Sequence, residues 1–430
     1  MALLTLLASM SLIVPGLGGL QTPQSNVTPH RIVLTATQDL STSAVVSWRT
    51  EAPTQGAGGE LAEASPDPRF TASAKPYPAE SQEFVLPRGS KVYYNTVRFN
   101  GLTPGRKYTY RVGSPQGWSE WIQFQTARAD TAPFAFTYFG DAQNDIKSMW
   151  SRVVRQAFKN VPESAFFLHA GDLINEDMSD HEWAEWFYAG GWIHNQTPVV
   201  AIPGNHEYQT VNGKKVISPF WKPQFANPEN GLRGLEGSCY YIDYQGARII
   251  ALNSNERIKE QAAWLDRTLK SNPHKWAIVS FHHPVHSTAL GRDNKVVRDA
   301  WAPVLEKHNV PLVLQGHDHT YGRKNLSVGT SGKAKASGTV YVVSVSGPKM
   351  YRLGKETGVT MPRRAEFSQL YQIVRVSQQK IRFEAYLSTG DLYDAFEISK
   401  NPDGTNRVVA KRVKSPERIE KTPAKERRGN

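Results

Sequence analysis

Short stretches in which apolar and polar residues alternate follow one another from Arg31 to Thr126. Val46 and Trp48 share one face of one stretch, and the alternation recurs from Tyr93 to Phe99. A period of two residues, with turn sequences between the stretches and no helical spacing, is typical of a β-sandwich. Residues 53–80 are rich in proline, glycine, alanine and serine, which predicts a long loop inserted in this sandwich.

The pattern changes at Phe134, where apolar strand-like runs begin to alternate with amphipathic helical ones. Met149, Val153 and Phe158 recur at helical spacing. Further strands are predicted at 165–169, 199–202, 248–252, 276–281 and 310–314, further helices at 261–269 and 296–308, and an antiparallel pair at 371–376 and 380–386. This alternation indicates an α/β domain, in which functional residues collect where strands end.

Five short motifs rich in metal-ligand side chains lie where these predicted strands end. In chain order they are Gly140-Asp141-Ala142-Gln143, Gly171-Asp172, Gly204-Asn205-His206-Glu207, Phe281-His282-His283 and Gly316-His317-Asp318-His319. The side chains in them that are predicted to bind metal are two carboxylates, one amide and three imidazoles, a ligand set for two divalent or trivalent metal ions that share one site. A lone Gly-Asp pair is more often a turn or a helix cap, so the ordered succession of motifs carries the prediction.

The first three motifs offer oxygen ligands. Asp172 follows an apolar strand and a glycine, and a carboxylate in that place can bridge two metal ions about 3.5 Å apart. Asp141 follows a strand in the same way, and Gln143 points to the same side if the backbone stays extended. Asn205 offers a neutral oxygen, although loop asparagines are usually turn residues. Asp141, Asp172 and Asn205 are therefore predicted metal ligands.

The last two motifs offer imidazoles. His317 and His319 are separated by one residue, so both rings can face one side of the chain. Of the adjacent pair, His282 is the expected ligand because it directly follows the apolar strand, which leaves His283 as a candidate substrate contact. His286 is either a substrate contact or a solvated loop histidine.

These ligands predict a hydrolase that needs no side-chain nucleophile. Two metal ions can lower the pKa of a bound water, orient a phosphate and stabilise its equatorial oxygens. The nucleophile is then a hydroxide that bridges the two metals. His206, next to Asn205, is the candidate catalytic residue because it can contact the phosphate or protonate the leaving oxygen. The single cysteine, Cys239, is expected to be a buried structural residue.

The formal net charge of +12 suggests nucleic-acid binding, but the distribution of charge argues against it. Residues 407–430 contain nine Lys and Arg against three Glu, about half of the excess charge. This segment has no apolar periodicity and carries two prolines, so it is predicted to be a disordered basic tail. No specific nucleic-acid partner is expected, and the mildly basic remainder suits an anionic substrate.

The N-terminus is uncharged and apolar. Residues 2–20 carry no charge, and the apolar stretch before Pro15 is too short to span a bilayer. It resembles a signal-peptide core, although a positive start is missing. Residues 1–22 are expected to be an export signal of a secreted or periplasmic protein, with a disordered or anchoring N-terminus as the alternative. No later segment has 18 consecutive apolar residues, so no transmembrane segment is expected.

With these motifs, the chain resembles the calcineurin-like metallophosphoesterases, and more closely their purple acid phosphatase branch, from about Thr28 to Ile398. The Trp48 strand and the turn at 102–110 resemble a fibronectin type III module, which precedes the catalytic domain in that branch. The resemblance implies a fibronectin-like all-β sandwich over 28–127 and a four-layer α/β sandwich over 133–398. It also implies hydrolysis of phosphate esters.

The resemblance further implies two ligand sets that share one carboxylate. One metal ion would be held by Asp141, Asp172 and His319, and the second by Asp172, Asn205, His282 and His317. His206 would contact the phosphate.

The chain departs from the purple enzymes at two positions. Asn175 stands where they have the tyrosine that binds ferric iron, and Gln143 stands where their first motif has glycine. Because the wider superfamily has a histidine ligand at the latter position, Gln143 is a candidate neutral ligand, and Asn175 is another. Losing one negative ligand favours a divalent pair, drawn from iron, zinc and manganese.

Three functions remain open. The leading one is hydrolysis of phosphate monoesters, acting on a small phosphorylated substrate. A phosphodiesterase or nucleotidase shares the same motifs. A non-catalytic binding protein, whose sandwich domain recruits a partner, is the third, and the filled metal positions argue against it.

Overall fold

The computed structural model describes residues 26–325, 338–354 and 361–420 of the chain. Two segments discussed above lie outside these residues, namely the expected export signal at 1–22 and the last part of the basic tail, 421–430. Among the helices that the structure describes, none is long and apolar enough to cross a membrane.

The first part of the chain is all β, as the alternation predicts. Its strands are β1 (His30–Thr35), β2 (Ser43–Thr50), β3 (Gly58–Glu63), β4 (Lys75–Val85), β5 (Lys91–Asn100), β6 (Lys107–Ser114), β7 (Gly117–Trp118) and β8 (Ile122–Gln125). Strands β1, β2, β5 and β4 pair in that order, and β3 joins β4 to β6, which also pairs with β7 and β8. Trp48, Phe99 and Tyr110 fill the sandwich interior, where each is almost completely buried.

Residues 53–80 do not form the expected long loop. They contain β3, a short 3-10 turn at Pro68–Ser73 and the beginning of β4. Leu61 is buried in the sandwich core, and a Cβ on Gly58 would lie only 2.5 Å from the main-chain oxygen of Tyr77. The glycines in this segment therefore permit close strand pairing, which composition alone presents as a loop signal.

From Phe134 the chain alternates strands and helices. The strands are β9 (Phe134–Phe139), β10 (Phe167–His169), β11 (Val199–Ala201), β12 (Tyr208–Val211), β13 (Lys214–Ile217), β14 (Tyr240–Tyr244), β15 (Ala247–Ala251), β16 (Trp276–Ser280), β17 (Leu312–Gln315), β18 (Tyr321–Asn325), β19 (Val340–Val343), β20 (Arg363–Ala365), β21 (Leu370–Val376), β22 (Ile381–Leu387), β23 (Leu392–Lys400) and β24 (Asn406–Ala410). The helices are α1 (Ser151–Asn160), α2 (Asp180–Gly190), α3 (Trp192–Gln196), α4 (Trp221–Gln224), α5 (Ile258–Lys270) and α6 (Lys295–Lys307).

Two sheets pack face to face in this second part. One has the strand order β24-β23-β22-β21-β9-β10-β11, and the other has the order β14-β15-β16-β17-β19-β18-β20. Buried apolar side chains such as Phe136, Leu168, Ile278 and Leu314 lie between the sheets. Helices α1 and α2 cover the outer face of the first sheet, and α5 and α6 cover that of the second. The predicted architecture, an all-β sandwich followed by a four-layer α/β domain, is confirmed.

The sandwich is joined to the α/β domain through main-chain pairing. Strand β1 runs parallel to β11, so the first sheet continues into the sandwich. The N–H of Ala36 donates to the oxygen of Val199 at 2.9 Å. Next to this junction, Arg31 and Arg49 both bind the carboxylate of Asp180 at the start of α2, at 2.7 and 2.5 Å.

The predicted disorder of the tail at 407–430 is wrong for its described part. Strand β24 pairs antiparallel with β23. Beyond it, Arg363 donates to the main-chain oxygen of Ser415 at 2.6 Å, and Arg418 donates to the hydroxyl of Ser368 at 2.7 Å. The tail finds its hydrogen-bond partners on the neighbouring strand β23 and on side chains more distant in the chain, and its own sequence shows no sign of them.

We expect a chain that ends at Asn406 to unfold at a lower temperature than a chain that ends at Glu420. The shorter chain loses the β24 ladder and the contacts of Ser415 and Arg418. Each kcal/mol lost lowers the midpoint by roughly 2–4 °C in a domain of 150–250 residues. Thermal unfolding followed by circular dichroism measures the difference. Equal midpoints would support the prediction that the tail is disordered.

Candidate metal centre

The carboxyl ends of parallel strands bring the five motifs to one edge of the α/β domain. Strands β9, β10 and β11 are parallel neighbours in the first sheet, and β16 and β17 are parallel neighbours in the second. Because the sheets are stacked, the loops that follow these strands meet. These loops carry Asp141, Asp172, Asn205, His282, His317 and His319.

Glycines allow these loops to approach closely. Gly171 has a φ of +91°, and a Cβ there would lie 2.6 Å from Nδ1 of His282 and 2.7 Å from Cα of Gly204. A Cβ on Gly204 would in turn collide with the carboxylate of Asp172. Glycine before Asp172 and before Asn205 is therefore required by the packing of these two loops on each other.

One group of side chains gathers around Asp141. Its Oδ2 lies 3.3 Å from Nε2 of His319. Nε2 of Gln143 lies 3.2 Å from the same histidine nitrogen and 3.4 Å from Oδ2 of Asp172. All four side chains are buried. The structure thus brings Gln143 into the group that the sequence assigned to the first metal ion.

A second group surrounds Nε2 of His282. Oδ2 of Asp172, Oδ1 of Asn205 and Nδ1 of His317 each lie 3.1 Å from this nitrogen. Ligand atoms of Asp141, Asp172 and His282 lie within 4.8 Å of one another, a spacing that a metal ion can span. Asp172 therefore belongs to both groups.

The hydrogen bonds of the histidines show which ring nitrogen of each faces its ligand group. Nδ1 of His282 lies 3.0 Å from the carbonyl oxygen of Ala170, and Nδ1 of His319 lies 3.0 Å from that of Lys349. A carbonyl oxygen only accepts, so each Nδ1 carries a proton, and a neutral ring then presents the lone pair of its Nε2 to the group. Oδ2 of Asp141 has no hydrogen-bond donor among the described residues. Carboxylate oxygens and ring nitrogens that converge in this way fit metal cations.

The pKa values of the buried ligand candidates indicate that the cluster lacks positive charge. Burial raises the pKa of Asp141 to about 7. Burial also opposes ionisation of Asp172, but the neighbouring His282 holds the pKa of Asp172 below its usual range. Burial alone would lower the pKa of His282, yet the charges of Asp172 and Asp141 raise it to about 9. A proton on His282 can bridge to only one neighbour at a time, whereas a metal ion can bind several.

Glu207 holds two of the ligand loops together, and the sequence analysis missed it. Its buried carboxylate accepts the N–H groups of Asp172, Leu173 and Gly204 at 2.9, 2.7 and 2.6 Å. Burial and the charge of Asp172 raise the pKa of Glu207 to about 8, against the effect of these hydrogen bonds. The available signal was a carboxylate within the same motif as Asn205, which is a natural position for supporting a ligand.

His206 lies beside the second group and is oriented by the loop after Asp172. Its main-chain N–H donates to Oδ1 of Asp172 at 2.9 Å, and its ring Nδ1 lies 2.6 Å from the main-chain oxygen of Asn175. The N–H of Asn175 donates to Glu182 of α2 at 2.6 Å. Within the described residues Asn175 thus makes its hydrogen bonds through the main chain, and its role as a metal ligand stays a prediction.

The two remaining histidine candidates lie in different places. Nδ1 of His283 is 2.8 Å from the hydroxyl of Ser254, and its ring centroid is 4.3 Å from that of His317. His283 therefore borders the second group, where a substrate contact or a further ligand atom is geometrically available. His286 packs edge-on against Tyr341 at 5.1 Å. None of the contacts described for His286 is with the two groups of ligand candidates.

Comparisons with known proteins identify the same two domains. The calcineurin-like phosphoesterase family model matches residues 136–321, and the model of the purple acid phosphatase N-terminal domain matches residues 29–126. A solved structure of a purple acid phosphatase from yellow lupin (Lupinus luteus) seeds superposes with a TM-score of 0.73 at 18% identity, covering 88% of this chain and 75% of that one. At this identity the likeness supports the fold.

Curated relatives are distant. An uncharacterised protein of Mycobacterium tuberculosis is 24% identical over 345 residues, which cover 69% of this chain and 62% of that protein, so the chain spans less than two thirds of this relative. Acid phosphatase type 7 of Mus musculus is 27% identical over 342 residues, covering 72% of this chain and 73% of the mouse protein. The family models show that residues 136–321 form a calcineurin-like phosphoesterase domain and that residues 29–126 form the N-terminal domain of the purple acid phosphatases.

Proposed function

We propose that this protein hydrolyses phosphate monoesters with the help of two metal ions. The observation that carries the proposal is the convergence of ring nitrogens and carboxylate oxygens on two adjacent points that share Asp172. One ion would be held by Asp141, Gln143, Asp172 and His319, and the other by Asp172, Asn205, His282 and His317. The names of the mouse and lupin relatives, both acid phosphatases, support monoesters as the substrate class.

The chain's own residues define the steps around the phosphorus. Two bound ions would neutralise phosphate oxygens and lower the pKa of the attacking water. His206 has its Nδ1 engaged by Asn175, which leaves Nε2 as the nitrogen available to the substrate. The half-buried ring lines a cleft together with Asn205 and Tyr208. In its doubly protonated form, His206 can give the proton on Nε2 to the ester oxygen as the bond between phosphorus and that oxygen breaks, while Nδ1 keeps its proton on the Asn175 oxygen.

The experiment that tests this function compares p-nitrophenyl phosphate with bis(p-nitrophenyl) phosphate, with metal content measured on the same samples. Turnover of the monoester by protein with two ions per chain is the expected result. Preference for the bis-ester would identify a phosphodiesterase instead. Two bound ions without turnover of either ester would favour a non-catalytic binding protein.

We expect His206→Ala to lower kcat by roughly 10²- to 10⁴-fold, the usual effect of losing acid–base help. Metal content should stay unchanged, because the hydrogen bond to Asp172 comes from the main chain of residue 206. Steady-state kinetics and metal analysis measure the two effects. His181→Ala, at a histidine whose side chain is 84% exposed, is the control. Loss of metal from the His206→Ala protein would instead show that His206 is a metal ligand.

We expect protein loaded with iron under air to lack the strong visible band of a purple enzyme. That band needs a tyrosinate bound to ferric iron, and Asn175 stands at the expected tyrosine position. The hydroxyls of the nearby tyrosines Tyr138, Tyr208 and Tyr351 form hydrogen bonds with Gln315, Glu256 and Arg292, respectively. The visible spectrum tests this, and a band that disappears in Tyr351→Phe would contradict it.

A further inference from the structure

A guanidinium group stands at the rim of the ligand cluster. Nη1 of Arg292 donates to the main-chain oxygen of His317 at 2.9 Å, and Nη2 donates to the hydroxyl of Tyr351 at 3.3 Å. The guanidinium carbon lies 4.6 Å from the centroid of the Tyr351 ring, and that ring packs edge-on against His319 at 4.6 Å. Arg292 is therefore in contact with a ligand candidate of one ion and one ring away from a ligand candidate of the other.

The charge of Arg292 is only partly compensated. The carboxylate described near it is Oδ1 of Asp318, at 3.9 Å. The other oxygen of Asp318 accepts the N–H groups of Thr288 and Ala289 at 2.5 and 3.2 Å. The Arg292 side chain is 31% exposed, and a guanidinium has five N–H donors, more than these contacts use. Donors of Arg292 thus remain available to a molecule that binds beside His317 and Tyr351.

Further positive charges lie on the same side of the site. Lys349 accepts a hydrogen bond from Nδ1 of His319 through its carbonyl oxygen, and its ammonium group lies 6.0 Å from the centroid of the Tyr351 ring. Arg292 comes from the loop before α6, and Lys349 follows β19. Cations from separate loops therefore flank the Tyr351 ring, which packs against His319.

We propose that Arg292, held against Tyr351, is a specificity residue that binds an anionic group of the substrate other than the phosphate being hydrolysed. This inference rests on the proposed phosphomonoesterase function and adds a substrate class to it. The favoured substrates carry a second phosphate or a carboxylate near the scissile bond. The competing interpretation is that Arg292 only braces the loop of His317, in which case its loss would affect every substrate alike.

The test compares inorganic pyrophosphate with phenyl phosphate in the full-length, metal-loaded protein. Arg292→Gln should lower kcat/KM for pyrophosphate by about tenfold or more, chiefly by raising KM, since a charge-assisted hydrogen bond is lost. For phenyl phosphate we expect less than about a threefold change, because no second anionic group is present. Arg292→Lys should recover part of the loss, since it keeps the charge without the planar fork. Arg298→Gln is the matched control, because Arg298 pairs with Asp293 at 3.1 Å on the edge of α6.

Equilibrium binding provides a second readout that does not depend on turnover. Calorimetry should show that Arg292→Gln weakens binding of methylenebisphosphonate by about tenfold or more while leaving binding of methylphosphonate nearly unchanged. Equal losses for both substrates and both phosphonates, with or without lower metal content, would overturn the specificity role. If the unmodified protein hydrolyses neither substrate, the proposed function fails, and the comparison of the two phosphonates still decides the role of Arg292.

Discussion

Asp172→Asn is expected to remove most of the activity and to reduce the metal content below two ions per chain. Asp172 is the side chain that both ligand groups share, through contacts with Nε2 of His282 at 3.1 Å and with Gln143 at 3.4 Å. The substitution replaces an anionic oxygen by an amide that binds cations poorly. Altering residues that only support a ligand costs about 10- to 100-fold in metal affinity or activity, so loss of the shared ligand should exceed about 100-fold.

Metal analysis and turnover of p-nitrophenyl phosphate measure both effects of Asp172→Asn. The backbone does not confound the result, because Asp172 has a φ of +51° and asparagine tolerates the left-handed region well. Asp145→Asn is the matched control, since Asp145 is exposed and has a φ of +46°. An Asp172→Asn protein with full activity and two bound ions would refute the shared site.

The second large effect is a steep loss of stability below about pH 6.5, caused by two histidines outside the metal centre. His169 on β10 and His194 on α3 are fully buried, with ring centroids 5.6 Å apart. His194 stacks on Trp186 at 4.3 Å, and His169 stacks on Phe139 at 5.2 Å. Their four ring nitrogens have no hydrogen-bond partner within the described part of the chain. A charged imidazole in this aromatic environment would be strongly disfavoured.

The sign of the effect follows from the two pKa values. Burial lowers the pKa of His194 to about 3, and burial with the neighbouring His194 lowers the pKa of His169 well below 6.5. The unfolded chain binds protons at both residues below about pH 6.5 while the folded chain does not, so stability is lost as the pH falls toward the lowered pKa values. Each histidine costs about 1.4 kcal/mol per pH unit, or about 4 kcal/mol for both at pH 5.

Urea unfolding between pH 5 and 8 measures this loss in the unmodified protein and in His194→Phe. Phenylalanine keeps a ring against Trp186 but cannot bind a proton. Below about pH 6.5, the pH dependence of the unfolding free energy should therefore become shallower by about 1.4 kcal/mol per pH unit. His181→Phe, at an exposed histidine, should leave the dependence unchanged. An unaltered slope in His194→Phe would show that His194 does not stay neutral in the folded protein.

Periodicity predicted the two domains because side-chain burial repeats with the geometry of each element. The alternation around Trp48 corresponds to β2, and the spacing of Val153 and Phe158 corresponds to α1. The prediction was wrong for two segments whose composition is typical of a loop or of a disordered tail. Residues 53–80 pair with β5 and β6, and β24 pairs with β23. The glycines or charges of one segment do not show that it pairs with a strand at the edge of a sheet.

The sequence by itself predicted the candidate ligand positions, because Asp141, Asp172 and His282 lie where apolar strand-like runs end, and functional residues collect at strand ends in α/β domains. Only the tertiary structure decided which residues support them. Glu207 holds two ligand loops through main-chain N–H groups, and Arg292 reaches a main-chain oxygen in a motif 25 residues away. Such contacts join a side chain to main-chain groups of residues elsewhere in the chain, and every residue has main-chain groups. Apart from the position of Glu207 in the same motif as Asn205, the order of the amino acids therefore leaves no local pattern by which to find them.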